Sequence, residues 1–149
     1  MLDDLDIKIL NLLQNNARIK RNEIAEIVGL SLPSASERLN KLEEKGYIKG
    51  YYTKLNRKAF GYDILAYVFV TMESSKHYKT LIHKVEKIPE IIECHSVLGE
   101  GSHLLKTVAK NTEALEKLLG EIQSWPGVIS TKTTFILSTI KETTEININ

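Results

Sequence analysis

The sequence predicts an α+β fold in two parts, with three helices followed by a β-α-β-β-α-β succession. Apolar residues first recur at helical spacing, and beyond residue 61 they form strand-like runs that alternate with two further helical segments. A polar joint at residues 57–61 separates the two patterns. We therefore predict a helical domain at residues 1–46, a strand and linker at 47–61, and a second domain at 62–149.

The composition is that of an ordinary globular chain. The 149 residues are 42% hydrophobic and 26% charged, with a formal net charge of +1. No apolar run approaches the roughly 20 residues that span a bilayer, and the acidic start MLDDLDIKIL is unlike a signal peptide. A single cysteine, Cys94, excludes an internal disulfide and fits a reducing compartment. We expect a cytoplasmic location and no membrane partner.

Each of the first three helices is predicted to bury one apolar face. The first covers residues 3–15, where acidic side chains in the first turn suit the positive end of the helix dipole. Spacings of i, i+3, i+4 and i+7 bring the apolar positions to one side of each helix. The predicted core consists of Leu5, Ile9, Leu12, Ile24, Ile27, Val28, Leu39 and Leu42.

Residues 23–45 are predicted to form two short helices joined by a tight turn. Gly29 follows the last apolar position of the first helix, where a left-handed C-cap costs glycine little. Ser31 is placed to cap the second helix, and Pro33 lies in its first turn, where a missing N–H is tolerated. This is the layout of a helix-turn-helix motif.

The second of these helices carries side chains that suit contact with double-stranded DNA. Hydroxyl, amide and charged groups outside its apolar stripe can hydrogen bond to phosphates and to base edges in the major groove. From residue 1 to residue 58 the chain has 11 Lys and Arg against 8 Asp and Glu, so positive charge coincides with the motif. A helical hairpin with a solvated outer face is the alternative. The candidate DNA-binding residues are Arg18, Lys20, Arg21, Ser31, Ser34, Ser36, Glu37, Arg38, Asn40 and Lys41.

The remaining elements follow from composition and period. Residues 47–56 are rich in aromatic and β-branched types, which predicts a strand. In the second domain we predict strands at 64–72, 91–98, 103–109 and 131–140, and helices at 78–87 and from Thr112, with Thr112 as the cap. Their order is the ferredoxin-like split βαβ arrangement.

One face of this predicted sheet has no helix to cover it. Residues 64–72 carry apolar side chains for both faces, and monomers rarely expose a large apolar patch. We therefore expect a second copy of the chain to cover that face. A symmetric dimer also presents two recognition helices to two half-sites.

The chain resembles the Lrp/AsnC family of prokaryotic transcription regulators, the leucine-responsive regulatory protein and asparagine synthetase regulator family. The opening LDDLDIKILNLLQNNAR resembles the family's L-D-x-x-D-x-x-I-L-x-x-L-Q-x-x-x-R, and RLNKLEEKGYIKGY resembles its R-x-x-x-L-E-x-x-G-x-I-x-G-Y. The resemblance implies a winged helix-turn-helix, a C-terminal ligand-sensing domain of βαββαβ fold, and dimers that assemble into tetramers or octamers. One departure is Ser31-Leu32-Pro33, where the family often has Ser-Pro.

The resemblance also implies an effector loop at residues 99–103. Many members show Gly-x-x-Asp and an aromatic residue there, and bind an amino acid between subunits; here Ser102 and His103 occupy the last two positions. A serine hydroxyl is a weaker acceptor for an ammonium group than a carboxylate is, so Glu100 substitutes, or the pocket takes a different ligand or none. The implied effector-binding residues are Gly99, Glu100, Gly101, Ser102, His103, Thr131 and Thr133.

The function implied is sequence-specific regulation of transcription, directed at amino-acid or related metabolism and responsive to the effector. A sequence-tolerant, DNA-compacting and nucleoid-associated oligomer without an effector is the alternative. Catalysis is not expected, because Cys94 and His95 are adjacent on a predicted strand and point to opposite faces. The four histidines lack metal-binding spacing, so neither a metal nor a cofactor is expected.

Overall fold

The chain folds into two compact units, which the computed structural model describes over residues 1–149. Unit 1 comprises Met1–Lys54 together with Lys141–Asn149, and unit 2 comprises Leu55–Ile140. We call Lys141–Asn149 the C-terminal tail. This tail was predicted to belong to the second domain, whereas it packs with the first unit. No helix is sufficiently long and apolar to cross a membrane.

Three helices form unit 1 and bury most of the predicted core. Leu10 is buried on the first helix while Leu12 is only half-buried, the reverse of the prediction. Ile27 is 47% exposed and lies outside the core. Successive residues of a helix are rotated by about 100°, which turns Ile27 away from the side of α2 that packs against the other two helices. The helices are α1 (Asp4–Asn15), α2 (Arg21–Val28) and α3 (Leu32–Glu44).

The helix ends in unit 1 follow local sequence signals. Gly29 ends α2 in the left-handed conformation at φ +74°, as predicted. Ser31 caps α3 by accepting a hydrogen bond from the Ser34 N–H at 3.3 Å, also as predicted. Asp3 begins α1 with a capping box, in which its carboxylate and that of Asp6 each accept the other residue's N–H.

No strand forms at residues 47–56, so that prediction is wrong. Extended chain becomes a strand only by hydrogen bonding to a neighbouring strand, and unit 1 contains no strand. The segment is held to α3 by side chains instead. Ile48 packs against the helical core, and the Tyr51 hydroxyl donates to Glu43 at 2.9 Å. Burial and the Glu43 carboxylate raise the pKa of Tyr51 to about 12, which keeps this donor protonated.

Unit 2 is an antiparallel sheet of four strands with two helices on one face, the ferredoxin-like arrangement that the sequence predicts. The strand order is β2-β3-β1-β4, so β1 and β3 are central. Val68, Val70 and Leu105 of the sheet pack against Leu81 of one helix and Ile122 of the other. The elements are β1 (Ile64–Met72), α4 (Tyr78–Glu86), β2 (Ile91–Ser96), β3 (His103–Ala109), α5 (Thr112–Ser124) and β4 (Val128–Phe135).

Several element boundaries in unit 2 differ from the prediction, including the end of α4, which lies at Glu86 instead of residue 87. Asn111, not Thr112, caps α5, and its side chain accepts from the Ala114 N–H at 2.8 Å. β4 occupies Val128–Phe135 instead of residues 131–140, because its pairing partner β1 ends there; Ile136 makes the last main-chain bond, to the Leu65 carbonyl. β2 ends two residues earlier than predicted.

The helix-free face of the sheet carries apolar side chains that are only half-buried. Alternation along β1 places Tyr67 and Phe69 on this face, and the register sets Leu104 of β3 opposite Phe69. At its side, Glu93 of β2 pairs with Lys106 of β3 at 3.1 Å. We call this surface the open sheet face.

Candidate DNA-binding surface and effector loop

The narrow buried stripe of α3 leaves a polar outer face. Only Ala35, Leu39 and Leu42 of this helix are buried. Glu37 and Lys41 form an ion pair one turn apart on the outer face, at 2.8 Å. Ser36 is half-buried at the flank. The exposed candidates on the motif are Ser31, Ser34, Glu37, Asn40 and Lys41.

The turn between α1 and α2 presents three exposed basic side chains, those of Arg18, Lys20 and Arg21. The side-chain oxygen Oδ1 of Asn16 shapes the turn by accepting from the Arg18 N–H at 3.0 Å. Lys20 occupies the N-cap of α2 but provides no side-chain cap. The charged ends of all three side chains therefore remain available for phosphate groups.

Arg38 is held by two carboxylates at the start of α1, those of Asp3 and Asp6. Its Nη1 donates to both carboxylate oxygens of Asp3, at 2.8 and 2.6 Å, and to Asp6 Oδ1 at 2.9 Å. The bond from Arg38, followed by that from the Asp6 N–H, holds the pKa of Asp3 below 3.8. Since all three bonds use Nη1, the other guanidinium nitrogens keep their donors for DNA.

The contacts of Asp3 and Asp6 with Arg38 of α3 were not predicted from the sequence. Both lie more than 30 positions before Arg38, and no local spacing rule connects residues so far apart. The only sequence signal was the pair of acidic residues three positions apart at the start of α1, which indicates a helix cap.

The effector loop, residues 99–103, connects β2 to β3 and is tied to the centre of the sheet. The Ser102 N–H donates to the Val70 carbonyl at 2.9 Å, and the Val97 N–H donates to the Ser102 carbonyl at 2.9 Å. Gly101 has φ +73°, and a Cβ there would lie 2.6 Å from the Val70 carbonyl oxygen. A glycine is therefore required at this position.

His103 lies inside unit 2 and is only 3% exposed. It is opposite Val70, which faces the helices, and its ring packs edge-on against Tyr78 with 4.7 Å between centroids. Its Nδ1 lies 2.8 Å from Ser102 Oγ. The imidazole thus supports the loop from the core side, and burial lowers its pKa below 6.5.

The remaining loop candidates differ in what they contact. Glu100 forms an ion pair with Lys132 of β4, with Nζ 3.3 and 3.2 Å from the two carboxylate oxygens. Thr131 accepts a hydrogen bond from Gln123 Nε2 at 2.9 Å, and Thr133 is exposed. The sequence analysis did not include Lys132, which lies between these two threonines.

Cys94 has the environment of a packing residue. Its side chain is half-buried against the core of unit 2, and burial raises the pKa of the thiol. The register sets Cys94 opposite Leu105 and His95 opposite Leu104, so the two side chains point to opposite faces of the sheet. They form no nucleophile and base pair.

We predict that His103 makes the stability of unit 2 dependent on pH. Because burial lowers its pKa in the folded state, the unfolded chain binds the proton more readily, and stability is lost as pH falls below about 6.5. The loss approaches about 1.4 kcal/mol per pH unit at most. Denaturant unfolding between pH 5 and 8 measures it, and His103→Gln should flatten the dependence. An unchanged slope in that variant would assign the effect to another group.

Comparison with known proteins identifies the family. A model of the Lrp/AsnC ligand binding domain matches residues 65–146, and a model of a winged helix-turn-helix DNA-binding domain matches residues 2–49. The HTH-type transcriptional regulator FL11 of Pyrococcus horikoshii is 38% identical over 147 residues, which cover 99% of this chain and 97% of that protein. The chain belongs to the Lrp/AsnC family.

Further relatives agree with this membership of the Lrp/AsnC family. The leucine-responsive regulatory protein of Escherichia coli K12 is 36% identical over 148 residues, covering 97% of this chain and 90% of that protein. A transcriptional regulator of Neisseria meningitidis, solved as an L-Met complex, has a TM-score of 0.94 at 30% identity and covers 100% of this chain and 98% of that chain. The chain is therefore a helix-turn-helix transcriptional regulator with a ligand-binding domain, and its matched relatives are regulators, not enzymes.

Proposed function

We propose that this Lrp/AsnC regulator binds specific operators by inserting α3 into the major groove. The exposed polar face of α3 is the observation that supports this proposal most directly. It supplies hydrogen-bond donors and acceptors for base edges, while the apolar stripe of the helix is buried. The basic turn at Arg18, Lys20 and Arg21 would hold phosphates and fix the register of the helix. Regulated genes of amino-acid or related metabolism, and action in the cytoplasm, belong to this proposal.

We propose that the working form is at least a dimer, formed through the open sheet face. Tyr67, Phe69 and Leu104 leave apolar area on that face half-buried, and a second copy would remove it from water. Dimerisation pairs two α3 helices for two half-sites. Size-exclusion chromatography with light scattering tests this proposal, and a monomer at micromolar concentration would contradict it.

We propose that the effector is an amino acid bound at the effector loop. An amino acid carries an ammonium and a carboxylate, and the Glu100–Lys132 pair offers a partner of opposite charge for each. Glu100 would then supply the carboxylate at a loop that has Ser102 where many members of the family have an acid. The L-Met complex of the Neisseria meningitidis relative supports this ligand class.

The experiment that tests the function is a gel shift on the DNA upstream of the protein's own gene, with and without each amino acid. A shift that responds to one amino acid supports both the operator and the effector. A shift that ignores all twenty supports the operator and contradicts the amino-acid effector. Even coverage of unrelated DNA, with no preferred site, would favour the DNA-compacting alternative.

Two single substitutions, one for each partner of the ion pair, test the effector loop itself. We expect Glu100→Gln and Lys132→Met each to weaken amino-acid binding by roughly tenfold, the loss of one charge-assisted hydrogen bond. DNA binding without effector should not change, because the loop belongs to unit 2. Glu116→Gln, at an exposed position of α5, is the matched control. Isothermal titration calorimetry measures affinity, and equal affinity in all variants would exclude the ion pair from the site.

A further inference from the structure

The C-terminal tail docks on α1 through hydrogen bonds to the main chain of the tail. The side-chain amide of Gln14 accepts from the Ile146 N–H at 2.7 Å and donates to the Ile146 carbonyl at 3.0 Å. One side chain thus satisfies both main-chain groups of one residue, as a neighbouring β-strand would. One turn earlier, Asn11 Nδ2 donates to Asn149 Oδ1 at 3.2 Å.

Apolar packing accompanies these hydrogen bonds. Ile148 is the only residue of the tail that is half-buried, all others being exposed, and it packs against the buried cluster of α1, α2 and α3. Ile146 points outward and is 67% exposed. The tail therefore contributes one apolar anchor and one main-chain clamp, which fits an extended segment with alternating side chains.

Local bonds shape the tail for this docking. Thr143 Oγ1 accepts from the Glu145 N–H at 3.0 Å, and Asn147 Oδ1 accepts from the Asn149 N–H at 3.1 Å. At the start of the tail, Glu142 forms an ion pair with Lys54, the residue at which the chain leaves unit 1. Both polypeptide connections between the units therefore begin from contacts inside unit 1.

We propose that α1 carries a docking site for the chain's own C-terminal tail, and that docking restrains the motion of the DNA-binding unit. With the tail docked, unit 1 is connected to unit 2 by two stretches of chain instead of one. A unit 1 that is connected to unit 2 by two stretches of chain has fewer accessible orientations than one connected by a single stretch. It therefore loses less entropy when the two copies of unit 1 in a dimer bind DNA. Only that last consequence rests on the proposed function.

Hydrogen exchange of the intact protein tests the docking. We expect the Ile146 amide to exchange at least tenfold faster in Gln14→Leu and in Ile148→Asp than in the wild type, because the clamp or its anchor is lost. Thr144→Ala is the matched control, since Thr144 is exposed and makes no side-chain bond. Exchange of β1 and β3 amides should be the same in all proteins. Equal Ile146 exchange in the wild type and both variants would overturn the docking.

Nitrogen-15 relaxation of the same proteins tests the restraint. The amides of α1, α2 and α3 should report faster reorientation in Ile148→Asp than in the wild type, with β-sheet amides unchanged. Ile148→Asp leaves α1 itself unaltered, so it decides the question even where Gln14→Leu disturbs the helix. Unchanged relaxation despite faster Ile146 exchange would overturn the restraint. Neither measurement uses DNA, so failure of the proposed operator binding would not be confused with failure of this proposal.

Discussion

Replacing Arg38 by Ala is expected to weaken operator binding by roughly tenfold or more, the size of one lost bidentate contact. Arg38 lies on α3 with its side chain 31% exposed, and Asp3 and Asp6 hold its Nη1. The guanidinium is therefore oriented before DNA arrives, and all three of these hydrogen bonds use Nη1 alone. An oriented donor loses little side-chain entropy on binding a phosphate or a base.

Asp3→Asn separates orientation from contact. Asn is as good an N-cap as Asp, so α1 should keep its start while one of the two negative charges that hold Arg38 disappears and that of Asp6 remains. We expect this variant to lose less operator affinity than Arg38→Ala, because the contact remains and only its orientation is relaxed. Fluorescence anisotropy with labelled operator measures both. Unchanged affinity in Arg38→Ala would remove Arg38 from the DNA-contacting residues.

Titration of Asp3 supplies an independent check on this network. Arg38 holds the pKa of Asp3 below 3.8 in the folded protein, so the interaction is present at neutral pH and is lost as pH falls through that lowered value. In Arg38→Ala the pKa of Asp3 should rise toward 3.8. Carbon-13 detected NMR titration of the Asp3 carboxyl follows this change, and an unaltered pKa would show that the contact does not persist in solution.

Gly101→Ala is expected to destabilise unit 2 by about 1–3 kcal/mol and to abolish the effector response. The added Cβ would lie 2.6 Å from the Val70 carbonyl oxygen, and φ is +73°. The obstacle is main chain in the central strand, which cannot rotate away as a side chain can. The Ser102 N–H bond to the same carbonyl would break, and Glu100 would lose its position in the loop.

Gly120→Ala is the control, for which we expect an increase in stability instead of a loss. Gly120 lies within α5, and a Cβ there would have no neighbour within 4 Å, so Ala should stabilise the helix by up to about 1 kcal/mol. Denaturant unfolding of the two variants and the wild type gives both values. A Gly101→Ala protein as stable as the wild type would mean that the loop has another conformation in solution.

Much of the fold follows from contacts between residues that are close in sequence. The Gly29 C-cap and the Ser31 N-cap are set by bonds that span three to five residues, which is why sequence patterns predict them. The strand at residues 64–72 was predicted to the residue because it is buried on both sides at its start and forms a near-continuous apolar run. The helix-turn-helix and the βαββαβ order came from the same kind of pattern.

The errors have a common physical cause in partners that are distant in sequence. Residues 47–56 have strand composition, yet a strand also needs a partner, and none lies within unit 1. β4 is shorter than its Thr-rich pattern suggested, because its C-terminal end pairs with the first residues of the antiparallel strand β1 and no residue of β1 lies beyond them. His103 was predicted as the first residue of a strand and as an effector-binding residue, and the β3 register turns its side chain into the core.

The sequence by itself determined the family, the two fold types and the polar face of the recognition helix, because these depend on periodicity and on motifs of adjacent residues. Only the tertiary structure decided that Arg38 is held by Asp3 and Asp6, that Glu100 pairs with Lys132, and that the C-terminal tail docks on α1. Each of these contacts joins residues 32 to 138 positions apart. Such contacts form only after the packing of helices and sheet has brought the side chains together, and no local pattern encodes them.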